Sequence, residues 1–141
     1  MLIKLLRETS KIPERHLDAA GYDLFSDSET FTLCPNETTL CNTGVSVAIP
    51  KGQMGMILPK SGLGSKGLIL GNTTGIIDSD YRGELKVNLW NRNQGDKGIP
   101  IIKGQKIAQL VLLSVQNPEL EVTDTLPDTE RGDNGFGSSG V

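Results

Sequence analysis

"GELKVNLW", residues 83–90, has the alternating pattern of a β-strand. Leu85, Val87 and Leu89 alternate with Lys86, Asn88 and Trp90, of which Lys86 and Asn88 are polar. Successive side chains of a strand point to opposite faces, so the apolar and polar sets would lie on different sides of a sheet. The stretch therefore predicts a strand with two distinct faces.

Similar short stretches recur along the chain, and 17 Gly and 7 Pro separate them. No segment keeps the apolar spacing of a long amphipathic helix, so we expect any helix to be short. Many short strands between turn residues predict an all-β fold, a jelly roll or β-barrel. The predicted strands are TFTLC (30–34), GVSVAIP (44–50), MGMILP (54–59), GLILGN (67–72), GELKVNLW (83–90) and KIAQLVLLSV (106–115).

Length and charge limit the classes of function. A chain of 141 residues fits one ordinary domain. Its net charge of -3, from 14 Lys and Arg against 17 Asp and Glu, argues against a broad surface that binds nucleic acid. The apolar run at the start is too short for a secretory signal, and no later run is long enough to cross a membrane. We expect a cytoplasmic protein with neither a nucleic-acid nor a membrane partner.

Two cysteines, Cys34 and Cys41, are seven positions apart. In a reducing compartment such a pair predicts two packed thiols and no disulfide. Together with His16, the only histidine, they are too few for a four-ligand zinc site.

The composition changes near Thr125, so we divide the chain into a β domain, residues 1–124, and a flexible arm, residues 125–141. The Gly-rich arm cannot bury enough surface to order itself. It could be a disordered tail or, because it carries Arg131 and Phe136, a lid that a ligand orders. The preceding stretch IAQLVLLSV is almost entirely apolar, which favours burial of both its faces, one of them against a neighbouring subunit.

Two glycine-containing stretches suit a bound phosphate to different degrees. GLGSKG, residues 62–67, fits a dinucleotide-binding pattern, but the stretch after it predicts a strand where that motif needs a helix. In the overlapping PKSG, Lys60 offers charge, Ser61 a hydroxyl and Gly62 an accessible backbone N–H, all suited to phosphate oxygens. A plain polar turn remains the alternative.

The next stretch, GNTTGIID, contains an amide that could recognise a base. Asn72 has both a donor and an acceptor, so a hairpin here could bind the edge of a flat base, or it could be only a turn. Asp78, Asp80 and Arg82 then fall in one turn. A carboxylate there could be a general base, form an Asx turn or pair with Arg82, and residue chemistry leaves these choices open.

Five stretches spread over nearly the whole chain are AGYDL (20–24), PKSGLGSKG (59–67), GNTTGIIDSDYRGE (71–84), GQKIAQL (104–110) and RGDNGFGSSG (131–140). In this order they resemble the five motifs of the homotrimeric dUTPases. The resemblance implies a jelly-roll protomer and a homotrimer whose three active sites each use all three chains. It implies hydrolysis of dUTP to dUMP and pyrophosphate, which keeps uracil out of DNA and supplies dUMP for dTTP synthesis.

The resemblance also implies roles for single residues. Asp78 matches the aspartate that activates the water attacking the α-phosphorus. Tyr81 matches the aromatic residue that packs under deoxyribose and leaves no room for a ribose 2′-hydroxyl. Asp80 and Arg82 would support the turn and subunit contacts.

Further positions match the substrate-binding residues of that family. The uracil would pair with Asn72 and the main chain of Gly75, Ile76 and Ile77, and Lys86 would contact the nucleoside. The positions implied for the phosphates are Lys60, Ser61, Gly62 and Gln109, and those implied for the closing tail are Arg131, Phe136, Ser138 and Ser139.

A magnesium ion is the cofactor that the resemblance implies. Mg²⁺ usually keeps several waters and binds largely through substrate phosphates, so we expect Asp23 to act only through water. Three positions depart from the family pattern: Lys60 replaces a common arginine, Gly64 an alanine and Ser139 a threonine. A lysine is a point charge and cannot make the planar two-pronged contact of a guanidinium.

Two other functions are compatible with the same pattern. One is a dCTP deaminase of the same fold, although the tail from Arg131 to Ser139 is typical of the hydrolase. The other is an interaction protein whose surface for a regulatory partner is switched by a bound nucleotide.

Overall fold

Antiparallel strands are the main regular structure of the chain. The structure is a computed structural model, and it describes residues 1–135. Within that range there are ten strands and one helix of a single turn. Their bounds are β1 Leu2–Leu5, β2 Tyr22–Phe25, β3 Phe31–Leu33, β4 Thr38–Ala48, β5 Gln53–Pro59, α1 Ser61–Gly64, β6 Leu68–Leu70, β7 Gly75–Ile77, β8 Glu84–Asn91, β9 Ile99–Ile101 and β10 Lys106–Ser114.

Two four-stranded sheets form the body of the protein. One has the order β1-β4-β8-β6, the other β2-β10-β5-β7, and β3 and β9 form a small third sheet. All strand pairs are antiparallel. The predicted jelly-roll fold is confirmed, and so is the expectation that any helix is short. No helix of residues 1–135 is long and apolar enough to cross a membrane.

The core lies between the two large sheets, and β8 supplies much of one side. Leu85, Val87 and Leu89 are 0%, 1% and 1% exposed, whereas Lys86 is exposed, as the alternation predicts. Leu110 of β10 belongs to the same cluster and is fully buried. Burial of each such side chain contributes about 1.5–3 kcal/mol, so the inner face of β8 is a large part of the folding free energy.

Four strands were not predicted, namely β1, β2, β7 and β9. The last two have only three residues, too few for a period, and all four residues of β1 are exposed. On the predicted β10, Ala108 and Leu110 are buried, but Leu113 on the outer part is 38% exposed. Within one chain, the second half of β10 is therefore only partly covered.

The two cysteines are free thiols in different surroundings. Cys41 is buried on β4, with its Sγ 3.2 Å from the hydroxyl oxygen of Ser26. Cys34 is exposed. Both cysteines are free, as predicted, but the prediction that both thiols are packed is wrong for Cys34. It lies in the turn after β3, where its backbone N–H donates to Glu37 at 2.9 Å.

A β-bulge interrupts the β4–β8 pairing between Asn42 and Ser46. Gly44 lies in this bulge with a φ of 71°, in the left-handed region that glycine adopts without strain. A Cβ at Gly44 would overlap the hydroxyl of Ser10 and the carboxylate of Asp27. The bulge therefore lets the loop after β1 pack directly against the backbone of β4.

Asp27 is the centre of the polar cluster beside this bulge. Its side chain is only 3% exposed and accepts hydrogen bonds from Thr9 at 2.7 Å, Ser10 at 2.9 Å and Arg7 at 3.0 Å. Burial alone would raise the pKa of Asp27, but these hydrogen bonds and the charge of Arg7 outweigh it and lower the pKa. The folded state therefore favours the ionised carboxylate.

Substitution of Gly44 by alanine tests the close packing at the bulge. We expect Gly44→Ala to destabilise the fold by about 3 kcal/mol or more, since strain at positive φ adds to steric overlap. Gly52 is a matched control because its φ is 83° but no atom lies within 4 Å of a Cβ built there. Gly52→Ala should lose only the strain, about 1 kcal/mol. Equal losses in urea unfolding at one protein concentration would contradict the packing argument.

The lowered pKa of Asp27 predicts how stability depends on pH. A depressed folded-state pKa stabilises the protein above the unfolded value, near 3.9, and this contribution disappears as pH falls through the folded pKa. We expect Asp27→Asn to be about 2 kcal/mol less stable than wild type at pH 7, and the gap to narrow below about pH 4. Urea unfolding of both proteins at several pH values measures this, and a gap that is constant from pH 7 to pH 3 would contradict it.

Candidate active site

The turn between β6 and β7 carries the residues predicted to recognise a base; the two strands belong to different sheets and do not pair, so of the two alternatives the structure shows a turn and not a hairpin. Its tip is tight: Thr73 has a φ of 60°, and its backbone N–H donates to the carbonyl of Leu70 at 3.1 Å. A Cβ at Gly75 would lie 3.7 Å from the amide nitrogen of Asn72. The Asn72 amide is therefore beside the start of β7, where the predicted backbone contacts begin.

The chain leaves β7 through a turn that presents Asp78 and Tyr81. The backbone N–H of Tyr81 donates to the carbonyl of Asp78 at 3.2 Å. The guanidinium of Arg82 donates to the carbonyls of Ser79 and Tyr81 at 2.8 and 2.9 Å. These contacts fix the turn, and among residues 1–135 nothing forms a hydrogen bond or ion pair with the exposed Asp78 carboxylate.

Tyr81 folds back over the start of β8. Its hydroxyl donates to the backbone carbonyl of Glu84 at 3.0 Å, and the side chain remains 44% exposed. A Cβ at Gly83 would overlap the phenol, so only glycine at this position allows the ring to lie there. The ring thus forms one wall of an open pocket.

This pocket combines five of the residues predicted to contact the nucleoside or activate water. Its volume is about 190 Å³. Asp78 also borders a larger cavity of about 690 Å³ on the other side of the turn, with Asp80, Arg82 and the start of β5. Glu84 is a sixth lining residue, and the sequence did not predict it. Its only signal in the sequence was its place at the end of the motif GNTTGIIDSDYRGE. The pocket is lined by Ile76, Ile77, Asp78, Tyr81, Glu84 and Lys86.

The predicted phosphate-binding residues form a second cluster. Ser61 and Gly62 lie in the single turn of α1, exposed, and a Cβ at Gly62 would meet nothing within 4 Å. The side-chain amide of Gln109 donates to the carbonyl of Pro59 at 3.1 Å, which places β10 beside the end of β5. The ammonium group of Lys60 is close by, but it is paired with a carboxylate.

That carboxylate belongs to Asp23 on β2. One of its oxygens accepts from Lys60 and the other from Lys106, at 2.9 Å for the latter. Burial raises the pKa of Asp23, but the hydrogen bonds from Lys60 and Lys106 outweigh burial and lower it. Lys106 in turn has a raised pKa, because Asp23 and Glu14 both bind its ammonium.

The donor set around Asp23 suits an indirect metal contact. Residues 1–135 contain no group of three or more His, Cys, Asp or Glu side chains that could hold a metal ion. Each oxygen of Asp23 is bound by one ammonium and can accept one more hydrogen bond, for example from a water. These residues therefore fit a magnesium ion carried by phosphates, and they do not form a protein cage for one.

The two clusters lie at opposite ends of β5. Gly55 pairs with Ile77, so Asp78 follows near Met54 at the start of the strand, whereas Lys60 follows its end. At the spacing of a strand, residues 54 and 60 are about 20 Å apart. This is too far for one triphosphate chain to lie beside Asp78 and also contact Lys60 of the same protomer.

The segment after β10 borders the first cluster only at its beginning, where Asn117 lines the larger cavity that Asp78 also borders. Residues 116–135 are all exposed and contain no strand or helix. The guanidinium of Arg131 donates to the carbonyl of Asn134 at 2.8 Å, a contact within the segment. Phe136, Ser138 and Ser139 fall outside the described residues.

Sequence comparisons find the same family along the whole chain. The dUTPase family model matches residues 8–140. A deoxyuridine 5′-triphosphate nucleotidohydrolase of Alcanivorax borkumensis is 46% identical over 125 residues, covering 86% of this chain and 82% of the relative. The protein of the same name from a Hydrogenobaculum species is 41% identical and covers 100% of this chain and 98% of its own length.

Solved structures agree with these relatives. A point mutant of the dUTPase of Staphylococcus bacteriophage 80alpha, with dUpNHpp, superposes with a TM-score of 0.90 at 36% identity, covering 99% of this chain and 98% of the other. A mutant dUTPase from phage phi11 of S. aureus, described with a structural Mg(II) ion, has a TM-score of 0.81 at 32% identity and covers 90% of this chain and 98% of its own. With fold, motif order and close relatives in agreement, this chain belongs to the dUTPase family.

Proposed function

We propose that this protein hydrolyses dUTP to dUMP and pyrophosphate. The observation that carries the proposal is the 190 Å³ pocket in which a free carboxylate, Asp78, lies beside an aromatic wall, Tyr81, and an edge strand, β7. The family relatives named for this activity on dUTP support it. The pocket gives each part of the nucleotide a chemically suitable neighbour.

Recognition of uracil would use the free edge of β7. In the order β2-β10-β5-β7 this strand is last, so among the described residues its outer edge has no strand partner. Unpaired backbone N–H and C=O groups at such an edge can pair with the edge of a base as they would with another strand. The amide of Asn72, beside Gly75, adds one donor and one acceptor.

Selection of the sugar would depend on Tyr81. Its ring packs under deoxyribose, and a 2′-hydroxyl would collide with it or remain without a partner. Lys86 lines the same pocket and would contact the nucleoside. A site that excludes a group by shape discriminates more strongly than one that only lacks an apolar contact.

Hydrolysis would begin with a water held by Asp78. The carboxylate takes a proton as the water oxygen attacks the α-phosphorus in line with the bond to the pyrophosphate oxygen. The new P–O bond gives dUMP, and the broken one releases pyrophosphate. Bound to the phosphates, Mg²⁺ would neutralise their charge, with Asp23 contacting it through water.

The phosphates would be held by Lys60, Ser61, Gly62 and Gln109. The ammonium of Lys60 would leave the carboxylate of Asp23 and bind a phosphate oxygen. Lys106 would remain paired with Asp23 and neutralise its charge. As an ammonium, Lys60 would act as a point charge.

The 20 Å separation along β5 supports a site built from more than one subunit, as in a homotrimer. Partly exposed Leu113, and Leu120, Val122 and Leu126, which are 96%, 98% and 82% exposed, offer apolar surface for such contacts. The arm of residues 125–141 would then close over a site, with Arg131, Phe136, Ser138 and Ser139 near the γ-phosphate and base.

Substitution of Asp78 tests the catalytic base. We expect Asp78→Asn to lower kcat for dUTP at least about 10²-fold, because the amide cannot take the proton, while dUTP still binds. Pyrophosphate release and equilibrium binding measure the two effects. Asp96→Asn, in an exposed loop, is the matched control and should behave as wild type.

The same assay with dCTP, dTTP and UTP tests the choice of substrate. Near-normal turnover by Asp78→Asn would overturn the role of Asp78 as the base. Release of ammonia from dCTP by the wild-type chain would indicate a deaminase and not a dUTP hydrolase.

Mixed oligomers test whether sites are shared between subunits. Asp78→Asn and Lys60→Met should each be nearly inactive alone, but each retains the half of the site that the other lacks. If the residues come from neighbouring chains of a trimer, random mixing restores about one quarter of the sites. Co-expression, purification of mixed species and pyrophosphate assays measure this. No more activity than the sum of the separate variants would mean that both residues act within one chain.

A further inference from the structure

An ion pair between Arg7 and Glu84, a residue that lines the pocket, connects the N-terminal loop to Tyr81. The carboxylate of Glu84 accepts from both terminal nitrogens of Arg7 at 2.9–3.0 Å and from the backbone N–H of Gly44 at 2.8 Å. This is the two-pronged geometry in which a guanidinium binds most specifically. The backbone carbonyl of the same Glu84 receives the hydroxyl of Tyr81.

Arg7 is itself held from behind. One of its nitrogens also donates to the buried Asp27, which is bound by Thr9 and Ser10. The long arginine side chain is thus fixed between two carboxylates that come from different parts of the chain. Such a network loses little further side-chain freedom when a ligand binds.

The electrostatics agree with this geometry. The hydrogen bonds from the Arg7 guanidinium hold the pKa of Glu84 below its usual range, although partial burial of this carboxylate acts in the opposite direction. The carboxylate is therefore ionised at neutral pH. The side chain of Glu84 is only 13% exposed. The start of β8 is therefore tied to the N-terminal loop by a charged contact whose carboxylate is largely buried and whose guanidinium side chain is 39% exposed.

We propose that Arg7 is a positioning residue for sugar selection: by clamping Glu84, it fixes the carbonyl that holds the phenol of Tyr81 at the pocket wall. Arg7 does not line the pocket. Without the clamp the start of β8 can shift, the phenol loses its anchor and the ring can move to admit a 2′-hydroxyl. This inference rests on the proposed function, because it concerns the choice between dUTP and UTP.

The test is the ratio of kcat/KM for dUTP to that for UTP. Arg7→Met should lower this ratio about tenfold, the loss expected from one hydrogen-bonded anchor, and Arg7→Lys should recover part of it because it keeps the charge but not the two-pronged contact. Lys103→Met, which removes an exposed ion pair with Glu29, is the control and should leave the ratio unchanged. A general loss of structure would lower both rates and leave the ratio as it is, and this result would overturn the proposal.

A double substitution shows whether Arg7 acts through Tyr81. Tyr81→Phe removes the hydroxyl that Glu84 anchors and should lower the ratio by a similar factor. Adding Arg7→Met to Tyr81→Phe should then cause no further fall. If the double variant instead lowers the ratio by the product of the two separate factors, Arg7 acts by a route that does not involve the Tyr81 hydroxyl.

Folding is checked by thermal unfolding of each variant. If Arg7→Met does not fold, Glu84→Gln replaces it, since the amide keeps the shape but loses the charged pair; an unchanged ratio in that variant would overturn the proposal. If the wild-type chain fails to cleave dUTP at all, the proposed function falls and this inference with it. Cleavage of dUTP with an unaltered ratio in every variant would overturn only the inference.

Discussion

The buried face of β8 is the constraint on which the rest of the structure depends. β8 lies between β4 and β6 and carries Leu85, Val87 and Leu89 into the core. A slip of one residue would exchange its two faces and bury Lys86, so the register is strongly fixed. Lys86 and Glu84 lie on the other face of the same strand and border the pocket. The hydrophobic packing of β8 therefore fixes the position of these two site residues.

Much of the fold followed from the sequence because alternation is a local property. Six strands were predicted from it, whereas β7 and β9 have too few residues to show a period. The exposure of Cys34 depends on where the turn after β3 points, which no local pattern specifies. The site residues were named by resemblance to the family, since residue chemistry alone left several roles open for Asp78 and Asn72.

Contacts between distant parts of the chain could not be read from the sequence. Lys60 and Asp23 are 37 positions apart, and their pairing arises only because β2, β10 and β5 lie side by side. Likewise, Arg7 and Glu84 are 77 positions apart and meet only where the bulge at Gly44 admits the N-terminal loop. Both carboxylates are largely buried, and each acquires its cation from another element of the fold, as buried charges require.

The order β2-β10-β5-β7 has a consequence for synthesis of the chain. β10 is the last strand in sequence within residues 1–135, yet it lies between β2 and β5, which are made much earlier. On the ribosome these two strands wait with open edges until β10 emerges, and such edges and long-range pairings make folding slow and intermediates prone to aggregate. The exposed residues 116–135 that follow contribute nothing to the sheets. The sheet of β2, β10, β5 and β7 is therefore completed only after β10, its last strand to be made, has left the ribosome.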